Sequence, residues 1–362
     1  MPAAVSAEAS LPAPAPAVPS PPSITRLREV LSSYYRRSTL LAVLLLLADL
    51  ALFAVGEYLV ARGGSPWPML GGAALATLAI VRLFVIGHDA CHGSLTDHAT
   101  LNKVLGRVAF LPSLTPYSLW RVGHNVVHHG FNNLRGRDFV WQPLDPSEWR
   151  SLPPARRLLE RVYRSAFGPL PYYLVEIWWR RLYFPDQANA PARRAEFTLD
   201  SLLVTLFAAG WIAALAVTAA PRPGAIALAV GLGFVAPFLV WTWTVGFVVY
   251  LHHTHPDVVW YADKSAWLKA QGILHGTVRY RVRPWWNWLL HNIMEHAAHH
   301  LDPRIPLYRL KAAQGALARL VPDIPVVELS LRTYWRSVRH CKLFDFEQRR
   351  WVGFPRRAAS EA

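Results

Sequence analysis

The sequence predicts an all-α integral membrane protein, with four transmembrane helices in two hairpins and a histidine-rich helical cap on the cytosolic side. Three observations predict it. Of 362 residues, 53% are hydrophobic and only 17% charged, where a soluble protein carries about 25% charge. Four apolar runs are each long enough to cross roughly 30 Å of hydrocarbon. Basic residues collect on one side of those runs. Low hydrophobicity with high charge would mark a disordered chain, and this composition excludes it. Two cysteines exclude a disulfide scaffold and any site needing four thiolates. A net charge of +15, in so apolar a chain, reads as basic cytosolic loops rather than a nucleic-acid surface.

Residues 1–24 are mostly Pro, Ala and Ser and are expected to be disordered. They lack a basic region before an apolar run, so they are not read as a signal peptide. The main domain is placed at 25–350 and a tail at 351–362. The first span covers about 39–61 and follows Arg26, Arg28, Arg36 and Arg37. A Gly63-to-Pro66 turn leads to the second, about 67–87. The third, about 199–220, is joined through Pro221-Arg222-Pro223-Gly224 to the fourth, about 225–251. The short loops after spans one and three hold Arg62 and Arg222, whereas residues 88–198 hold fourteen Lys and Arg and residues 252–362 hold seventeen. The positive-inside rule puts both termini and the middle loop in the cytosol of a multi-pass inner-membrane protein. Asp49, inside span one, is read as a polar contact between helices. Stretches near 101–120 and 163–184 are too short to span and read as interfacial helices.

Eight of the fifteen histidines fall in three clusters: His88 and His92; His124, His128 and His129; His296, His299 and His300. Residues three or four apart share a helix face, so each cluster can present two or more imidazoles to one metal. Neutral imidazole suits Fe, Zn, Cu and Ni. Eight clustered imidazoles exceed one tetrahedral zinc and suit two metals. All clusters fall at the cytosolic ends of spans or in cytosolic segments. His253, just past span four, is a further candidate ligand, with His252 and His255 weaker ones. His98 and His340 read as surface residues and His275 as structural. His291 is expected to orient a ligand through its second nitrogen. Tyr117, Trp120, Trp241 and Trp243 are candidate tunnel-lining aromatics. A four-span histidine-rich protein could instead transport metal or haem. Transporters place ionisable ligands near the bilayer midplane, yet no His, Asp or Glu lies between Leu202 and Tyr250.

The order and spacing of the boxes resemble the membrane fatty acid desaturase superfamily. VYLHHTHP (Val249 to Pro256), the Trp267-to-Tyr280 stretch, LHNIMEHAAHHL (Leu290 to Leu301), IPLYRL (Ile305 to Leu310) and CKLFD (Cys341 to Asp345) resemble acyl-lipid Δ12 (omega-6) desaturases of bacteria and cyanobacteria. So do Asn133, Asp138, Trp141 and Pro143. The resemblance covers roughly 40–350. It implies a non-haem diiron centre on His88, His92, His124, His128, His129, His296, His299 and His300, with His253 as the extra ligand. Asp138 and Asn292 join His291 as supporting residues. The resemblance further implies O2 as co-substrate, a long-chain fatty acid or acyl-lipid substrate, and electrons from a ferredoxin or cytochrome b5-type donor. The chain has no cysteine set or His-Pro-Gly-Gly motif for a fused donor, so a separate protein is expected, and an acidic ferredoxin suits the basic face. Box two is H-x3-HH, where the Δ12 enzymes have H-x2-HH. Desaturation is the leading expectation. Hydroxylation and decarboxylation to a terminal alkene use the same scaffold within the superfamily and stay open at this point.

Overall fold

The computed structural model describes residues 22–185, 194–222, 224–322 and 324–355. The N-terminal segment expected to be disordered lies outside these up to residue 21, as do Pro223 of the second turn and the tail from residue 356. Among the described residues four helices are long and apolar enough to cross a membrane: Thr39–Arg62, Pro66–His92, Ala195–Ala219 and Ala225–His253. The second and fourth outrun the apolar stretches that define them, because each continues into its histidines. Ser38 caps the first helix by accepting from the Leu41 amide. Gly93, in the left-handed region at φ 70°, ends the second one residue past His92.

Span two is the central one. In its most apolar window 61% of residues are buried, against 22% for spans one and three. Spans one and two approach closely through small residues. A Cβ on Gly56 would stand 2.7 Å from the Gly72 carbonyl oxygen and 2.6 Å from the Ala76 nitrogen, the kind of contact only small side chains permit between membrane helices. Their register is fixed by the buried pair Arg82 Nε to Asp49 Oδ1, 2.6 Å. Asp49 is thus an interhelical contact, with Arg82 as its partner. At the opposite end, Arg222 donates to the carbonyls of Gly63 and Ala61, and Trp211 of span three donates to Glu57 of span one at 3.0 Å.

The remaining described chain packs as short helices against the ends and sides of the spans. The helix Ile24–Leu31, capped by Ser23, buries Leu27 and Leu31 in a cluster with Ala313, Leu317 and Leu301. The stretches read as interfacial contain helices at Ala99–Phe110, Tyr117–Arg121 and Pro169–Tyr172, the last continuing as a π-helix over Tyr173–Tyr183. Two small ladders interrupt the helices. Arg279–Arg281 pairs in parallel with Val326–Glu328, and Leu343–Asp345 pairs antiparallel with Arg350–Val352. Segments of three residues carry too little alternation to announce a strand.

Candidate metal centre

Each histidine cluster is positioned by a different local device. His88 and His92 occupy the last turn of span two, four residues apart on one face. His253 ends span four. His296, His299 and His300 sit on the short helix His296–Leu301, all buried. Box two lies on a π-helical stretch, Val122–His128, that returns to α-helix at His129. A π turn holds one more residue than an α turn and is common at functional sites. That extra residue is the third spacer of H-x3-HH, and the wider turn brings His124 back onto the face of the pair. Nε2 of His124 stands 3.1 Å from Nε2 of His129.

The rings form two sets, the second fully buried and the first buried except for the half-buried His92 and His124. His88, His92, His124, His129 and His299 make one; His128, His253, His296 and His300 make the other, with one nitrogen from each residue within 4.8 Å of the rest of its set. His128 and His129, neighbours in sequence, therefore serve opposite sets. Within the first set His129 Nε2 stands 3.1 Å from Nε2 of both His124 and His299. Within the second, His296 Nε2 is 3.1 Å from that of His253 and 3.0 Å from that of His300. One imidazole nitrogen carries either a single proton or a single lone pair, so protons cannot satisfy two such neighbours at once. The Nε2 atoms of His88 and His92 are buried without any partner. A cation bound by each set would satisfy these nitrogens, and the donor set, all imidazole, fits a divalent transition metal such as Fe2+. Burial, reinforced by neighbouring imidazoles, pushes the pKa values of His124, His129, His296, His299 and His300 well down, which keeps these rings in the neutral, ligating form.

Groups behind the rings fix their orientation. His128 Nδ1 lies 3.0 Å from Asp138 Oδ1, and that carboxylate also accepts from the amides of Val140 (Oδ1) and Asn133 (Oδ2). His88 Nδ1 lies 3.1 Å from Asp89 Oδ1, whose other oxygen accepts from the Leu307 amide at 2.6 Å. His253 Nδ1 is 3.2 Å from the Gly276 carbonyl. Donation from Nδ1 turns the Nε2 lone pair toward the site. Asp138 was anticipated. Asp89 was not, although its place inside the first box was a signal.

Other expected residues fall elsewhere. His291 places Nε2 on Asp49 Oδ2 at 2.7 Å instead of on a ligand ring. Asn292, at φ 61°, donates to the Leu307 carbonyl. It shapes the loop before box three and touches no box imidazole through that bond. His252 turns Nδ1 to the Val278 carbonyl and stacks on His296 with centroids 4.4 Å apart. His255 pairs with Asp257.

A cavity with mainly apolar walls adjoins the histidines, as is usual for small-molecule sites. His88, His124, His128 and His296 form its floor; Phe84, Val85, Trp120, Tyr173, Val248 and Ile293 are among its walls. Trp120 stacks on His124 with centroids 4.0 Å apart. The other three aromatics expected in the wall are not in it. Tyr117 donates to the Ala90 carbonyl. Trp241 packs behind Phe84. Trp243 faces outward, 38% exposed, since residues two apart on a helix point about 200° apart.

The model of the fatty acid desaturase family matches residues 65–331. The chain is 29% identical over 321 residues to an omega-6 fatty acid desaturase, chloroplastic, of Brassica napus, and 30% over 323 residues to that of Arabidopsis thaliana. Each match covers 86% of this chain, and 67% and 66% of those relatives, so the chain spans only about two thirds of their length. An sn-1 oleoyl-lipid 12-desaturase of Anabaena variabilis is 30% identical over 295 residues, 78% of both chains.

Proposed function

The chain belongs to the fatty acid desaturase family, and from that premise we propose that it is a membrane-bound, O2-dependent diiron oxidoreductase that introduces an internal double bond into a long acyl chain. One observation carries this reading: two all-histidine sets lie side by side, and each sends two of its rings, His88 and His124 from one and His128 and His296 from the other, into the lining of an apolar cavity. His88, His92, His124, His129 and His299 would hold one iron, and His128, His253, His296 and His300 the other. When bound and reduced by an external donor, the irons would use O2 to remove hydrogen from an unactivated C–H bond, chemistry beyond any side chain.

The protein's own contribution is binding, orientation and exclusion of water. Asp138 and Asp89 hold His128 and His88 in one tautomer and one rotation. The cavity wall is apolar, so it accepts a methylene chain and admits little water. Its aromatic faces, Trp120 and Phe84, help decide which carbon rests over the histidines, and a shift of about 1 Å in such positioning can cost roughly 100-fold in rate. The substrate is read as an acyl chain on a lipid, in keeping with the oleoyl-lipid relatives. The electron donor is read as a ferredoxin, which the basic composition would attract. The charge asymmetry of the loops supports an inner-membrane protein with its histidines and both termini in the cytosol.

Asp138→Asn should lower iron affinity of the second set by about 10–100-fold, the usual effect of removing a carboxylate behind a histidine ligand. Iron titration of the purified apoprotein checks it, and unchanged affinity would take Asp138 out of the support. The activity itself is tested in an aerated bacterial host supplied with a ferredoxin, by gas chromatography–mass spectrometry of total fatty acids and headspace. A new internally unsaturated acid, absent from a His299→Ala control, is expected. A volatile 1-alkene one carbon shorter than a host acid would make the enzyme a decarboxylase, and a hydroxy acid a hydroxylase.

A further inference from the structure

We propose that the short helix Pro284–Leu289 (PWWNWL) is a membrane-inserted element, lying in the leaflet on the histidine side with Trp285 and Trp288 in lipid. The depth of its attachment carries the argument. Arg82 Nη1 donates to the Trp288 carbonyl at 2.7 Å, and its guanidinium stands 5.3 Å from the Trp288 ring centroid. Asp49 accepts from Arg82 and holds His291 at 2.7 Å. Both contact points are far from the helix ends. Asp49 lies ten residues into the helix starting at Thr39, and Arg82 ten residues before the end at His92, or about 15 Å along each axis. Helices of 24 and 27 residues are about 36 and 40 Å long. A hydrocarbon core of about 30 Å leaves at most about 6–10 Å of either to protrude. With all of that surplus on the histidine side, the Asp49 and Arg82 backbones still lie below the hydrocarbon boundary, and Trp288, bonded to the Arg82 side chain, is held at or below that boundary; tilt of the spans only deepens it.

The local chemistry agrees. Leu40, Leu44 and Leu47, nearer the histidine end of span one than Asp49, are 72%, 53% and 55% exposed, so an apolar belt continues above this level. Trp285 and Trp288, three residues apart on one face, are 49% and 69% exposed, and tryptophan favours the interfacial region. Pro284 opens the helix without an amide to satisfy, and Arg82 takes up the Trp288 carbonyl, as hydrocarbon requires. Arg283, exposed just before the helix, has a stem long enough to bring its charge up to the headgroups, and Arg281 pairs with the exposed Glu328 at 3.3 Å.

Spin labels on Trp285→Cys and Trp288→Cys in the full chain test this, in vesicles of dioleoyl phosphatidylethanolamine and phosphatidylglycerol. Native Cys91 and Cys341 are buried, so the label goes to the new thiol. Leu47→Cys serves as the lipid reference and Glu347→Cys, on an exposed turn, as the water reference. Both tryptophan positions are expected to relax with O2 and to lose broadening by a nickel chelate, as Leu47 does. Chelate broadening equal to that at Glu347 would overturn the proposal. The readout needs neither iron nor turnover, so it stands apart from the proposed activity.

Discussion

His128→Ala is expected to abolish product formation and to lower bound iron from roughly two to roughly one per chain, by loss of the second set's ligation. His128 is one of four imidazoles in that set, against five in the first, so its removal leaves three. It also strips Asp138 of the ring it faces. That carboxylate is fully buried, and the vacated space is polar enough to admit water into a site that must stay dry. Iron analysis of the purified variant and fatty-acid profiling of the host give the two readouts. Full activity would remove His128 from the ligand set. Loss of both irons would show that the first set depends on the second.

Arg82→Met should be strongly destabilising. It leaves Asp49 buried at 2% exposure among apolar helices, with only His291 to answer its charge. Removing one partner of a buried pair costs about 3–5 kcal/mol, and hydrocarbon offers no water to soften it. The variant should show a much lower apparent Tm in detergent and a smaller folded fraction in the membrane. Arg82→Met combined with Asp49→Leu should recover much of the loss, because no lone charge then remains. A single variant as stable as the parent would mean that the pair holds little of the span register.

The box histidines were legible because helical spacing is a local property, and membrane spans announce themselves by length. How the imidazoles divide between the two sets was not legible. His128 and His129 part company because successive residues on a helix point in different directions, and only the packing of span four and the box-three helix decides which side each meets. The π turn was hidden for a similar reason. H-x3-HH fits an α-helix well enough on paper, and the extra residue shows only in the backbone. Asp49 could be recognised as an unusual acid inside a span. Its partners could not, since His291 lies 242 positions away and reads like one more metal-associated histidine. Trp241 and Trp243 were grouped because they are close in sequence, although their helical phase sets them on opposite sides.

The mixed ancestry of the two histidine sets orders the protein's biogenesis. During synthesis His88, His92, His124 and His129 have all been made by residue 131, which is all of the first set but His299. The second set holds only His128 at that stage and waits for His253, His296 and His300. A nascent chain halted between spans two and three would thus carry one nearly complete claw and one lone imidazole. Both sets therefore stay incomplete until the segment from His253 to His300 has been made.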